Sequence, residues 1–258
     1  MKITFIGTGA ADWNWHDYPL GTRGSTSTLI GSTVLIDAGP TVLINLRRFG
    51  ADIPRIAHLV VTHSHPDHFR PDVIASIAAL TKGKLTVWAA PEALAKLDGI
   101  ACVRRPVTAG MDFKCGTVQF TALPSNHSVE NLAEGTFHYL IRSGKAALLY
   151  ALDGAWMMGR AKHTITRTLQ GASLSAVIWD ATCGKCFHNY RFAEHNDLQM
   201  IADLRAPLLD AHIISEKTLH IFDHIARSLW PETDAERAAV AAGYSGLLAE
   251  DGDTLLLK

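Results

Sequence analysis

The stretch VVTHSHPDHF, residues 60–69, sets His63, His65, Asp67 and His68 into six positions directly after an apolar run. That run, AHLVVTH at 57–63, is short enough for a buried strand, and DVIASIAAL at 72–80 shifts to a helical period. The polar cluster therefore lies at a strand-to-helix junction, the kind of connection on which α/β folds are built. Neutral imidazole and carboxylate suit zinc, manganese and iron, and two histidines one residue apart can bind one ion from the end of a strand. Asp67 and His68, past the proline, can turn to a second ion, so one loop can seed two metals.

The rest of the chain fits this junction into a larger pattern. Apolar, β-branched runs at 2–7, 25–31 and 33–39 are separated by glycine and read as strands, followed by a strand in KLTVWAAP and a helix opening at Pro91. A second series starts near residue 111, with strands in TVQFTALP, TFHYLIRS and AALLYALDG and a helix around 156–169. Then come a strand in SAVIWDA, a helix from about 194 to 205, a strand in TLHIFDH and a helix near Pro231. Asp251-Gly252 predicts a closing hairpin turn. Two similar halves of this kind predict two sheets with helices outside, a four-layer αββα sandwich of the α/β class, as one domain over residues 1–258. The long irregular stretch at 8–26 is the exception, and a loop of that length in a compact domain is more often functional than idle.

Bulk composition narrows the function classes. The 24 basic and 25 acidic side chains nearly cancel, so no global attraction to nucleic acid or to an anionic membrane is expected. No stretch approaches the roughly 18 apolar residues of a membrane span. The opening MKITFIGTGAAD lacks the apolar core and cleavage site of a signal peptide, so a cytoplasmic chain is expected, with Cys102, Cys115, Cys183 and Cys186 as reduced thiols. Cys183 and Cys186 form C-x-x-C, but no second ligand pair of matching spacing follows to make a zinc site.

H-x-H-x-D-H after an apolar strand resembles the signature of the metallo-β-lactamase superfamily, whose αββα fold matches the pattern above. The resemblance implies further ligands in chain order. His127 in LPSNHS matches the third histidine of the first metal, Asp153 in LLYALDGA the bridging aspartate, and His224 in LHIFDHIARS the last histidine of the second metal. His212 and His220 compete with His224, which ends its strand and opens HIA as the family's HIS does. The remaining His16, His58, His138, His163 and His188 read as structural or surface residues, His16 being the one whose loop is expected near the site. Asp37 in LIDAGP resembles the family's strand-end aspartate, which would orient a histidine or the backbone, with a plain turn as the alternative.

Within the superfamily, Asp180 at a strand end followed by His195 in HNDL is most similar to the phosphodiesterase branch, close to the phosphoribosyl cyclic phosphate phosphodiesterases and tRNase Z-like enzymes. The resemblance implies a phosphoric diester hydrolase with two divalent ions, zinc or manganese with iron also fitting, acting on a small sugar or nucleotide ester, cyclic or open. Its catalytic residues would be His195 as general acid, Asp180 holding that ring, and Asp67, which is also a ligand. The cyclic phosphodiesterases carry a cysteine-rich zinc loop after the first glycine turn, whereas ADWNWHDYPLGTRGST here has no cysteine. In that loop Trp13 and Trp15 can stack on a sugar or base, His16 lies close by, and Arg23 can bind phosphate, each with loop packing as its alternative. The expected partner is a small-molecule phosphodiester, with no strong nucleic-acid signal and no membrane; a homodimer is left open. The rival readings are a lactonase or other acyl-ester hydrolase, an RNA-processing endonuclease, and a metal- or ligand-binding sensor on the same scaffold.

Overall fold

The protein is described from a computed structural model, covering residues 1–18, 22–187 and 190–258. His188 lies outside the described residues. The chain divides into two compact units. Unit 1 is Met1–Thr108, Ser128–Thr136 and Glu250–Leu256; unit 2 is Ala109–His127, Phe137–Ala249 and Leu257–Lys258.

Unit 1 contains β1 (Lys2–Gly7), β2 (Ser27–Ile30), β3 (Val34–Ile36), β4 (His58–Val60), β5 (Thr86–Ala89), β6 (Val103–Pro106) and, from the C-terminal segment, β14 (Thr254–Leu256). They form one sheet in the order β14-β1-β2-β3-β4-β5-β6. The first four strands pair antiparallel and β3 to β6 pair parallel. Parallel neighbours require crossovers, supplied by α1 (Val42–Arg48), α2 (Pro71–Leu80) and α3 (Pro91–Ala95). The carboxyl ends of the parallel neighbours β3 and β4 therefore lie side by side at one end of the strands, and there the chain places Asp37 and the THSHPDH loop.

Unit 2 repeats the plan. Its strands are β7 (Asp112–Cys115), β8 (Val118–Pro124), β9 (Phe137–Ser143), β10 (Ala146–Ala151), β11 (Ala176–Asp180), β12 (Leu219–Asp223) and β13 (Leu247–Leu248). The order is β13-β12-β11-β10-β9-β8-β7, antiparallel from β7 to β10 and parallel from β10 to β13. Helices α4 (Gly159–Leu169), α5 (Leu198–Asp210) and α6 (Asp234–Gly243) complete it. Every residue of β10 and β11 is buried, as befits strands covered on both faces. Leu149, Trp179, Phe222, Ile165 and Ile201 share one apolar cluster, each such side chain contributing roughly 1.5–3 kcal/mol on burial. Asp153, Asp180 and His224 follow or end β10, β11 and β12, again at carboxyl ends.

The strands expected in KITFIG, TVQFTALP, TFHYLIRS, AALLYALDG, SAVIWDA and TLHIFDH are all present, as β1, β8, β9, β10, β11 and β12. The predicted hairpin at Asp251-Gly252 is corrected: β13 pairs parallel with β12, whereas β14 pairs antiparallel with β1. Gly252 does adopt the positive φ of a turn, +94°, but turn residues set only local geometry. The Asp251 carboxylate decides the route, because it accepts hydrogen bonds from Thr8 Oγ1 (2.8 Å), the Gly24 amide (2.6 Å) and Tyr18 OH (3.1 Å). Burial pushes its pKa above the usual carboxylate range, against these donors. The helix expected from 194 begins only at Leu198, capped by Asp197, and runs on through Pro207 to Asp210.

Candidate metal centre

In unit 1 the side chains of the THSHPDH loop are organised by Asp37. Its Oδ1 accepts the Thr62 amide at 2.7 Å, and its Oδ2 accepts the Thr62 hydroxyl at 2.8 Å and His68 Nδ1 at 2.9 Å. Because the Thr62 hydroxyl donates to the carboxylate, it accepts from His63 Nδ1, 3.0 Å away. Both imidazoles thus carry their proton on Nδ1 and present the Nε2 lone pair, the tautomer a metal ligand needs. His63 Nε2 faces His65 Nδ1 at 3.0 Å, and His68 Nε2 lies 3.3 Å from Asp67 Oδ2. Asp37 is fully buried, and burial pushes its carboxyl up while His68 and Thr62 pull it down. A buried imidazole between two carboxylates calls for positive charge, and nitrogen and oxygen donors meeting in this way fit a divalent ion.

Unit 2 uses the same chemistry around Asp180. One oxygen accepts the amide and hydroxyl of Thr182, at 2.9 and 2.7 Å; the other accepts His195 Nδ1 at 2.8 Å and the Gly154 amide at 3.2 Å. The Thr182 hydroxyl in turn accepts from His224 Nδ1 at 2.7 Å, leaving His224 Nε2 3.4 Å from Asp153 Oδ2. His195 Nδ1 is 3.6 Å from Asp153 Oδ1, and the rings of His195 and His224 stack at 5.6 Å. Ligand atoms of Asp153, Asp180, His195 and His224 all lie within 4.8 Å of one another. The His127 ring packs edge-on against His195, with centroids 5.1 Å apart, and its Nδ1 is 3.6 Å from Glu194. Burial disfavours the charged form of His195, but Asp180, and then Asp153, push its pKa up to about 9. Burial would likewise raise Asp180, yet the charge and hydrogen bond of His195 hold it below the usual carboxylate range.

Every residue of HNDL has a task. His195 pairs with Asp180, Asn196 bridges the Gly154 carbonyl (3.1 Å) and the Trp156 amide (2.7 Å), Asp197 caps α5 through the Met200 amide, and Leu198 is buried in the core. Asp37, Asp153 and His224 all adopt left-handed φ values, 59°, 52° and 58°, a conformation that Asp and His tolerate better than most residues and that gathers at functional turns.

Among the competing histidines, His220 is committed elsewhere, since its Nδ1 accepts Trp179 Nε1 at 3.0 Å, whereas His224 stands beside Asp153. In the 8–26 loop, the side chains expected either to meet substrate or to pack the loop are placed as follows. Trp13 is buried in the core, and Arg23, also buried, spends its guanidinium on Thr8 (2.7 Å) and Glu250 (2.5 Å). Trp15 closes the loop by donating to the Arg23 carbonyl at 3.0 Å, while His16 is exposed. Cys183 and Cys186 are free thiols, and burial pushes the former up to about 12. Residues missed from sequence are Thr62, Thr182 and Asn196; the first two stand next to or near the motif aspartates and histidines, but nothing in their spacing marks a hydroxyl relay.

A family described as "Beta-lactamase superfamily domain" matches residues 32–209. The curated protein "Zinc phosphodiesterase ELAC protein 1" of Mus musculus is 36% identical over 72 residues, 27% of this chain and 18% of its own. "Ribonuclease Z" of Aeropyrum pernix is 39% identical over 72 residues, 26% of this chain and 21% of its own. The chain thus matches only about a fifth of the length of these relatives. A solved "New Diphosphatase from the PhnP Family" aligns over 100% of this chain and 98% of its own with a TM-score of 0.71 at 19% identity. Likeness at this level shows the fold: two mixed sheets with helices in the metallo-β-lactamase arrangement, the α/β sandwich expected from sequence.

Proposed function

Because the chain belongs to the β-lactamase superfamily, we propose that it is a divalent-metal-dependent phosphodiesterase acting on a small phosphodiester of a sugar or nucleotide. The observation that carries this reading is the His195–Asp180 pair, 2.8 Å long and 3.6 Å from Asp153. A phosphodiester leaves as an alkoxide, whose departure is eased by a proton, and an imidazole locked by a buried carboxylate is suited to give it. Acyl-ester and lactone hydrolysis has less need of such an acid. A curated relative named a zinc phosphodiesterase supports the same direction.

The proposed ligands are His63, His65, Asp67 and His68 together with His127, Asp153 and His224. Two ions, when bound, would supply charge to the phosphoryl oxygens and acidify water near neutral pH. The chain's own residues do the rest. Asp37 and Thr62 fix the rings of His63 and His68, Asp180 and Thr182 fix those of His195 and His224, and His195 holds on Nε2 the proton for the leaving oxygen.

The test is a pair of diesters differing in leaving group. His195→Ala should lower turnover about 10²- to 10⁴-fold on an alkyl diester and much less on bis-p-nitrophenyl phosphate, whose nitrophenolate needs no proton. Equal losses on the two substrates sink the general-acid role, and turnover of lactones without turnover of either diester sinks the phosphodiesterase.

A further inference from the structure

Three residues past Asp153 the chain makes a turn that its composition does not favour. Trp156 has φ +61°, and among the described non-glycine residues with positive φ it has the bulkiest side chain. A large side chain in this region strains the backbone and persists only where the surroundings over-determine it. They do so here. The buried Asn196 amide accepts from the Trp156 amide at 2.7 Å and donates to the Gly154 carbonyl at 3.1 Å. From the other side, a Cβ on Gly154 would come within 2.5 Å of His138 Nε2 and Ser125 Oγ, so the turn packs closely against both and admits no side chain there.

What this effort secures is an indole that is 44% exposed, an unusual state for tryptophan in a unit that buries Trp179 and Trp230. The clamp that sets Trp156 is the residue following His195, the proposed acid, and the turn begins at Asp153. A half-exposed aromatic side chain whose backbone is tied to the residue after the proposed acid is a candidate contact for the substituent on the leaving oxygen. We infer that Trp156 is a stacking platform for a planar base carried by the phosphoester, which makes a nucleotide ester the substrate class and sets aside a plain sugar phosphate. The inference rests on the phosphodiesterase reading and narrows it.

Calorimetric titration of the zinc-loaded protein with AMP and with ribose 5-phosphate tests it, since the two ligands share the phosphate and ribose and differ in the base. Wild type should bind AMP more tightly, and Trp156→Gly should weaken AMP about tenfold while leaving ribose 5-phosphate unchanged. Trp156→Phe should recover most of the loss. Glycine is at ease at φ +61°, so the thermal midpoint of Trp156→Gly should not fall, which separates a lost platform from a damaged fold. If wild type binds both ligands equally and Trp156→Gly alters neither, the platform is wrong while the phosphoester reading stands. An equal loss on both ligands with a lowered midpoint makes Trp156 structural and likewise overturns the platform. If wild type binds neither ligand, the phosphoester reading falls and takes the platform with it.

Discussion

Thr182→Val isolates the hydroxyl relay of unit 2, because valine keeps the shape and removes one oxygen. That oxygen is buried, 2.7 Å from both Asp180 Oδ1 and His224 Nδ1. Asp180 retains the Thr182 amide, the Gly154 amide and His195 Nδ1, so the loss falls mainly on the imidazole of His224. One buried polar group deprived of its partner costs about 2 kcal/mol. In a chain of this size that lowers the thermal midpoint by about 4–8 °C. The second effect is specific to a ligand: without an acceptor at Nδ1 the ring is no longer held with its Nε2 lone pair outward, and metal affinity should fall about 10- to 100-fold. Scanning calorimetry reads the first effect and competition with a chelating dye the second. Thr182→Ser, which keeps the hydroxyl, should restore both. A Thr182→Val protein with the lower midpoint but unchanged metal affinity would refute the claim that the relay orients a ligand.

Two further outcomes follow from the geometry. Zinc at about 100 times its dissociation constant should stabilise the protein by about 2.7 kcal/mol, with the rise in midpoint reversed by chelator; an unchanged midpoint contradicts the ligand assignment. His220 is held neutral, with burial and then the Arg205 charge lowering its pKa to about 4. The unfolded chain takes up that proton near pH 6.5, so this contribution to stability is present above about pH 6.5 and lost as pH falls toward 4. Urea unfolding between pH 7 and 4.5 should therefore show a shallower pH dependence in His220→Leu than in wild type, and an identical slope counts against the assignment.

The parts of this molecule legible in sequence are those governed by period and by motif. Buried strands such as β10 and β11 are continuous apolar runs, and the THSHPDH loop shows its candidate ligands by residue type. What escaped are features set by partners far away in the chain. The edge strands β6, VRRP, and β7, DFKC, carry too few apolar residues to show a period, and exist because β5 and β8 offer them a ladder. Asp251 looks like a turn former, yet burial among Thr8, Tyr18 and Gly24 sends the chain to β1. Arg23, read from sequence as either a phosphate ligand or a loop-packing residue, pairs with Glu250, more than two hundred residues away, a contact that no local pattern announces.

The two units solve one problem twice with different outcomes. In each, a buried carboxylate holds a threonine amide, the same threonine's hydroxyl and one imidazole, and the hydroxyl then orients a second imidazole. Around Asp37 both rings, His63 and His68, are proposed to give their Nε2 lone pair to metal. Around Asp180 only His224 does, and His195 is proposed to keep a proton on the corresponding nitrogen. The carboxylate has the same effect in both cases, since it raises the electron density of the ring it holds. For a ligand that strengthens the donor; for an acid it binds the proton more firmly, and His195 accordingly stands at about 9 without metal. An acid so basic is fully charged at neutral pH but reluctant to let go. Divalent charge bound at the neighbouring Asp153 would lower its proton affinity toward neutrality. On this argument the ions proposed to stabilise the phosphoryl oxygens would also tune the acid, and metals of equal charge should support similar proton transfer whatever their identity.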